Sequence, residues 1–392
     1  MTFSKPLSLL ATVGSAALLV ACQPATQTAD ATKMACKASG VSADSVPHAQ
    51  LPDTLCPTEY RIDMVMNPDD AEFTGTVAID AVMNEVSSKI WLHGKEMTVD
   101  KATATLSDGS VVALTYNAVP LDEAPSGVAY LSSETELPKG KITLTLDYAT
   151  PYNQALNSAY QVKRDGEGYI VTQFEPLGAR EAFPSFDEPR FKVPFTLSIT
   201  APADDFVYAN TPEVSATPAA NGWVKHQFAK TRPLPTYLVA FGAGPYDVVE
   251  HTDLPPNSVR KRPLELRGIT AKGAGEEIKY GLAGTEPILT ALEEYFGSEY
   301  PYEKLDLIAA PDYAFGAMEN PGAIVYREYL MLLNEGSPLS QKRAYNGVHS
   351  HELAHQWFGN LVTPVWWEDI WLNEAFATWM GNKGTSLAYP DG

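Results

Sequence analysis

Two histidines four residues apart, His351 and His355 in the run HELAHQW, restrict this chain more tightly than any other feature of its 392 residues. On an α-helix each residue advances about 100°, so side chains four apart lie about 40° from each other, one turn along the axis. His351 and His355 can then grip one ion. Glu352, roughly 100° round the helix, can reach a water on that ion without being a ligand. H-E-x-x-H on a helix joins two imidazole ligands for zinc with a carboxylate general base. A third ligand must come from a neighbouring element, and the run WWEDIWLNEAFATWM supplies Glu374, with eighteen residues between it and His355. That gap predicts a helix ending at Gly359 and Asn360, a short loop, and a second helix opening near Asn373 as its N-cap, with Pro390 as a stop. Three protein ligands leave a fourth position open, which is the catalytic rather than the structural arrangement of zinc. His349 points about 200° away from His351 on the same helix and reads as a packing or surface residue. Trp366, Trp367 and Trp371 read as core packing.

These residues resemble the aminopeptidase N family of zinc metallopeptidases. Its pattern is H-E-x-x-H, eighteen residues, then Glu inside a W-L-N-E-x-F-A run, matched here by Trp371 to Ala377. A second signature, G-A-M-E-N, stands at Gly316 to Asn320 in YAFGAMENPGAIVYRE, and TQFEPLGAREAFPSFDEP, residues 172–189, is similar to the family's segment at the edge of the substrate site. Ser185 departs from the pattern, since many relatives have Cys there. The resemblance implies an aminopeptidase with one zinc per chain, acting on peptides with a free N-terminus. His351, His355 and Glu374 would hold the zinc and Glu352 would be the base. An exopeptidase also needs something that counts from the chain end, and carboxylates beside the metal can do this by pairing with the α-ammonium. In the family the G-A-M-E-N glutamate does so, which maps to Glu319; Glu175 matches a second amine-binding position, and Gln173 a residue near the pocket for the first side chain. Gly316 and Ala317 suit an extended backbone that pairs edge-on with substrate, with Met318 and Asn320 in the same substrate-binding stretch. Asp187 and Glu188 read as a salt-bridged turn before Pro189. Two rival readings are a zinc endopeptidase, which Glu319 and Glu175 argue against, and a catalytically impaired fragment or peptide-binding module.

Length and composition agree with that class. A chain of 392 residues with 45% apolar content accommodates two or more domains. A net charge of −20 without a basic run argues against nucleic acid as a partner and against an anionic membrane surface. Near the N-terminus Lys5 precedes an apolar run, Leu7 to Val20, too short to span a bilayer. It ends in LVAC, which resembles a bacterial lipobox. Residues 1–21 would then be a lipoprotein signal peptide, and Cys22 the lipidated first residue. Gln23, where Asp would retain such a protein at the inner membrane, points to the outer membrane facing the periplasm; a plain secretory signal is the alternative. Cys36 and Cys56 remain, an even pair in an oxidising compartment, and a disulfide is expected between them. Residues 22–52, rich in Ala, Thr, Ser and Asp, read as a flexible tether.

From Tyr60 onward alternation takes over: Val77, Ile79, Ala81 and Met83 face one way, as do Ile142, Leu144 and Leu146. Strand-like runs continue to Tyr246, which predicts a β domain over 53–246, sandwich-like or saddle-like. A helical stretch follows from Glu276 to Phe296 with Pro287 as its break. KLDLIAAP reads as a buried strand, and another runs from Ala323 to Arg327. The motif helix is expected to begin after Ser340. The fold class is thus multidomain, β plus α+β. The resemblance makes 247–392 the N-terminal part of a thermolysin-like catalytic domain.

In the family a tyrosine some tens of residues beyond the zinc glutamate donates to the developing oxyanion. Gly392 lies only eighteen residues after Glu374, and Tyr389 is too near to match. The helices that would close the domain, and cover Phe376 and Trp379, have no counterpart either. The expectation is therefore a fragment of a longer enzyme that binds zinc weakly and shows little or no peptidase activity alone, since one lost oxyanion donor typically costs about 10² to 10³ in rate. Expression of residues 23–392, with metal analysis, thermal unfolding and aminoacyl-anilide hydrolysis, checks this; stoichiometric zinc with ordinary turnover would refute it.

Overall fold

Residues 40–390 are described by a computed structural model. Along the strand Glu72–Met83 the alternate residues Val77, Ile79, Ala81 and Met83 are buried, as the two-residue side-chain period requires. They lie opposite Ile142, Leu144 and Leu146 of Gly140–Pro151, with Val77 paired to Leu146 and Ile79 to Leu144. These strands are central to a ten-stranded sheet whose first strand, Leu55–Val65, runs antiparallel to Glu72–Met83 and parallel to Phe195–Pro202. Tyr60 and Phe195 stack across that parallel pair, ring centroids 4.7 Å apart. A four-stranded sheet, ordered Phe206–Ala209, Phe241–Gly244, Glu167–Gln173, Ser158–Arg164, shares its hydrophobic core. Cys56 is disulfide-bonded; Cys36, like Cys22, lies outside the described residues. Asp187 and Glu188 are buried in a salt-bridged turn, with Arg180 Nε 2.7 Å from Asp187 and Arg190 Nε 2.5 Å from Glu188.

A third sheet begins at Asp247 and has five strands, ordered Asp247–Glu250, Glu265–Thr270, Lys304–Ala310, Ala323–Arg327, Ala317–Met318. Every residue of Lys304–Ala310 is buried. Leu305, Leu307 and Ala309 join a core under the helices, while Ile308 and Ala310 face the core of the β domain. Burial on both faces explains why this strand reads as a continuous apolar run.

Three helices of twelve residues or more cover the far side: α1, Thr285–Phe296; α2, Leu339–His355; and α3, Ile370–Ala388. The expected stretch from Glu276 divides at Gly284 rather than at Pro287. Pro287 sits in the first turn of α1, where a missing N–H is harmless. α2 begins at Leu339, two residues earlier than expected, and closes at His355, before Gly359. α3 starts at Ile370 with Asp369 at its N-cap position, so Asn373 lies inside the helix. A 3-10 turn, Trp367–Asp369, leads into α3 and moves its start upstream. Gly381 lets α3 approach α2: an added Cβ would stand 2.9 Å from the His351 backbone nitrogen. Trp371 is 60% exposed and Trp379 52%, so Trp371 does not pack in the core. Phe376 stacks on Phe358, centroids 3.8 Å apart, and Trp367 lies 5.3 Å from Tyr237. Among the described residues no helix is long and apolar enough to cross a membrane.

The loop after the G-A-M-E-N run is locked to the β domain. Lys304 Nζ donates to the carbonyls of Ala209 (2.9 Å) and Gly322 (2.7 Å), and Asn210 Nδ2 to Pro321 (3.0 Å). Gly322 has φ +71°, and a Cβ there would meet the Asn210 carbonyl oxygen at 2.2 Å. Gly322→Ala should therefore destabilise the protein by roughly 2 kcal/mol or more, from left-handed strain plus the clash. Urea unfolding measures this, and an unchanged midpoint would contradict the packing.

Candidate active site

α2 and α3 cross so that the last turn of one faces the beginning of the other. His351 Nε2 is 2.9 Å from His355 Nε2 and 3.4 Å from Glu374 Oε2, and His355 Nε2 is 3.7 Å from Glu374 Oε1. The other ring nitrogens are occupied: His355 Nδ1 donates to the Phe358 carbonyl at 2.9 Å, and His351 Nδ1 lies 3.3 Å from Thr378 Oγ1, a hydroxyl that can donate or accept. Both Nε2 atoms face Glu374, to which they donate when protonated and beside which each offers a lone pair to a metal when not. Two imidazole nitrogens and a carboxylate, mutually within 4.8 Å, converge on one point. That donor set suits Zn²⁺ with one position left open.

Three further carboxylates crowd this point. Glu319 and Glu352 form a group with His355, and Glu175 and Glu319 a group with Glu374, each within 4.8 Å. Burial, reinforced by the charges of Glu319 and Glu374, pushes the Glu175 carboxyl up to about 8. Burial and Glu374 push Glu319 up to about 7. Glu352 is raised well above its ordinary value by burial and then by Glu319, Glu374 and Glu175. For Glu374 burial also opposes ionisation, but its bonds to His351 and His355 prevail and hold it low. Glu319 Oε1 is buried without a hydrogen-bond partner. A cleft of this composition favours cations.

Glu319 itself is held at its backbone, where the carbonyl accepts from Gln356 Nε2 (3.0 Å) and Asn360 Nδ2 (2.7 Å). Ala317 and Met318 pair with Tyr326 and Val325 as the edge strand of the third sheet, and the Gly316 carbonyl accepts from Arg327 N at 2.9 Å. Ala317–Met318 is the last strand in the order of that sheet, so among the described residues its outer side makes no ladder bonds. Gln173 ends its strand beside them, its Oε1 accepting from Tyr313 OH and its Nε2 lying 3.5 Å from Met318 Sδ. Asn320 is buried with Nδ2 donating to the Leu238 carbonyl at 3.2 Å, so its amide serves the scaffold. His349 is in the core, bonded to Tyr326 OH (2.7 Å) and Thr285 Oγ1 (3.1 Å), and burial lowers its pKa to about 3.

Sequence reasoning missed Gln356, Asn360, Thr378, Tyr313 and Tyr237. Only Gln356 carries a local signal, since it stands one helical turn after Glu352. Tyr237 OH is buried without a partner, and burial together with the charges of Glu319, Glu175 and Glu374 raises its pKa well above the ordinary range.

Residues 56–238 match the Peptidase M1 N-terminal domain, and residues 280–392 match the Peptidase family M1 domain. The chain belongs to peptidase family M1, the aminopeptidase N family of metallopeptidases. It is 33% identical over 349 residues to Aminopeptidase M1-A of Oryza sativa subsp. japonica, covering 88% of this chain and 39% of the rice protein. Endoplasmic reticulum aminopeptidase 1 of Mus musculus is 33% identical over 356 residues, 89% of this chain and 38% of the mouse protein. Aminopeptidase M1 of Arabidopsis thaliana is 36% identical over 352 residues, 87% of this chain and 39% of that protein. This M1 chain thus spans about 39% of the length of such relatives.

The crowded carboxylates make stability depend on pH in the metal-free M1 chain. Glu175 and Glu319 titrate higher folded than the ordinary 4.5, so between those values the folded state binds more protons than the unfolded state. Their contribution is full below about pH 4.5 and is lost as pH rises towards about 8. Glu374, held low, acts below that window. The urea midpoint in chelator should fall from about pH 5 to about pH 8, and Glu319→Gln should shallow the slope. A midpoint that rises over this range would show that the carboxylates do not share one cleft.

Proposed function

We propose that this M1 protein is a zinc-dependent aminopeptidase that releases N-terminal residues from peptides. One observation carries the reading: Glu319 and Glu175 stand with Glu374, a member of the candidate metal-ligand triad, in a group within 4.8 Å. An α-ammonium bound there puts the first peptide bond, and no other, at the metal position. His351, His355 and Glu374 would hold the zinc, which when bound would supply a Lewis acid to polarise the scissile carbonyl. Glu352 is raised in pKa while the cleft is empty; with a dication and an ammonium in place it would ionise, take a proton from the attacking water and pass it to the leaving amine. Pairing with the substrate's ammonium restores the ionised form of Glu319 and Glu175, so binding and charge relief are one event. The outer edge of Ala317–Met318 aligns the substrate backbone, and Gln173 borders the pocket for the first side chain. Similarity to aminopeptidases from plants and mouse supports the peptide substrate class. The LVAC run supports a bacterial envelope location, lipid-anchored at the outer membrane through Cys22.

Two comparisons on the complete protein test this. Glu352→Gln should keep zinc and lose turnover by several orders of magnitude, whereas His351→Ala and Glu374→Ala should lose the metal too. Wild type should cleave an aminoacyl anilide far better than its N-acetyl form, and Glu319→Gln should depress kcat/KM for the free amine only. Equal cleavage of both forms by wild type would favour an endopeptidase.

A further inference from the structure

The turn after α2 belongs to the site although none of its side chains is a candidate metal ligand. Its Phe358 carbonyl accepts from His355 Nδ1 at 2.9 Å, which orients that ring. Its Asn360 side chain donates to the Glu319 carbonyl at 2.7 Å, which orients the amine-binding loop. Bonds within the segment define its shape: Gly359 N to Val362 O (2.8 Å), Asn360 N to His355 O (3.0 Å) and Thr363 Oγ1 to Gly359 O (2.6 Å). They do not anchor it to the rest of the molecule. Leu361 and Val362, the apolar residues at its tip, are 41% and 64% exposed, so hydrophobic packing anchors the tip poorly.

Phe358 packs on Phe376 at the start of the turn and Asn360 bonds the Glu319 loop; beyond them, one cation from the β domain ties down the tip. Lys192, three residues before the strand Phe195–Pro202, donates from Nζ to Asn360 O (2.7 Å), Leu361 O (2.8 Å) and Thr363 Oγ1 (3.0 Å). All three acceptors are neutral oxygens, and together they satisfy the three donors of an ammonium. Burial lowers this ammonium to about 8.

We propose that Lys192 is a positioning residue that holds the turn from Phe358 to Thr363, and through it sets His355 for the metal and Glu319 for the substrate amine. The roles of His355 and Glu319 rest on the function proposed above. Lys192 touches neither metal nor substrate; it acts through Asn360 and the Phe358 carbonyl. A partner this far out should matter by up to about ten-fold in metal affinity, the lower end for groups that orient ligands.

The test compares Lys192→Met, Lys192→Arg and Thr363→Val with wild type, and with Lys279→Met as a control at an exposed ion pair. Zinc affinity is read by competition with a chromophoric chelator, and hydrogen exchange reads the Gly359–Thr363 amides. Lys192→Met should weaken zinc about ten-fold and speed exchange in that turn, Lys192→Arg should recover most of both, and Lys279→Met should change neither. If Lys192→Met fails to unfold cooperatively, Thr363→Val, which keeps the cation and two acceptors, decides by a smaller loss in the same direction. Zinc binding at wild-type strength in the folded variant overturns the proposal, as does a lowered melting temperature with unchanged zinc affinity and exchange. Neither readout needs turnover. Zinc weakened by Lys192→Met in a complete protein whose wild type cleaves no aminoacyl anilide would sink the aminopeptidase reading and leave Lys192 in place.

Discussion

Glu175, Glu319, Glu352 and Glu374 approach one another at the edge of the fold, Glu319 and Glu352 buried and Glu175 and Glu374 half-buried, and like charges so placed repel while losing part of their hydration. Two unit charges about 4 Å apart interact by about 4 kcal/mol at the effective dielectric of a protein surface region. Three of the four carboxyls respond by titrating upward. Only Glu374, which bonds both imidazoles, stays readily ionised. A dication among the ligands and an ammonium beside Glu319 would together offset most of this charge. The same repulsion that weakens the empty cleft therefore selects what enters it.

Holding such groups together demands a scaffold that resists their separation. The strand Lys304–Ala310, buried on both faces, forms a wall between the two cores. Its ion cluster, Lys304 with Asp306 at 2.7 Å and Arg267 with Asp306 at 2.9 Å, extends to the loop behind Glu319 through the Gly322 carbonyl. Buried ion pairs of this kind contribute little net stability, because desolvation offsets their attraction. Their use here is geometric, since an ammonium that loses a partner is left uncompensated and the loop cannot drift. Lys192, with three neutral acceptors instead of an acid, bonds the turn whose Asn360 donates to the Glu319 carbonyl.

Local periodicity made much of this architecture readable. Val77 to Met83 and Ile142 to Leu146 alternate because strand side chains alternate, and the structure buries them in register. KLDLIAAP could be read as a buried strand because both faces need apolar residues. The helix start at Ile370 and the break at Gly284 were less legible, because helix ends depend on the turns that feed them. Trp371 differs for another reason: its aromatic area argues for burial, and no described residue covers the face of α3 that carries it.

Sequence by itself determined that His351, Glu352 and His355 share a helix end and that Glu374 can join them, because spacing on an α-helix is fixed by its backbone geometry. It also marked Glu319 and Glu175 as candidates, through family motifs rather than through any property visible in those residues alone. Tertiary structure decided how the candidates meet: the 3.4 Å and 3.7 Å approaches of Glu374, the acceptance of Asn360 by Glu319, and the reach of Lys192 across 168 positions to Asn360. Such contacts leave no trace in local pattern. A hydrogen bond between residues far apart in sequence imposes no period on either segment, so only the folded chain reveals which polar groups are partners.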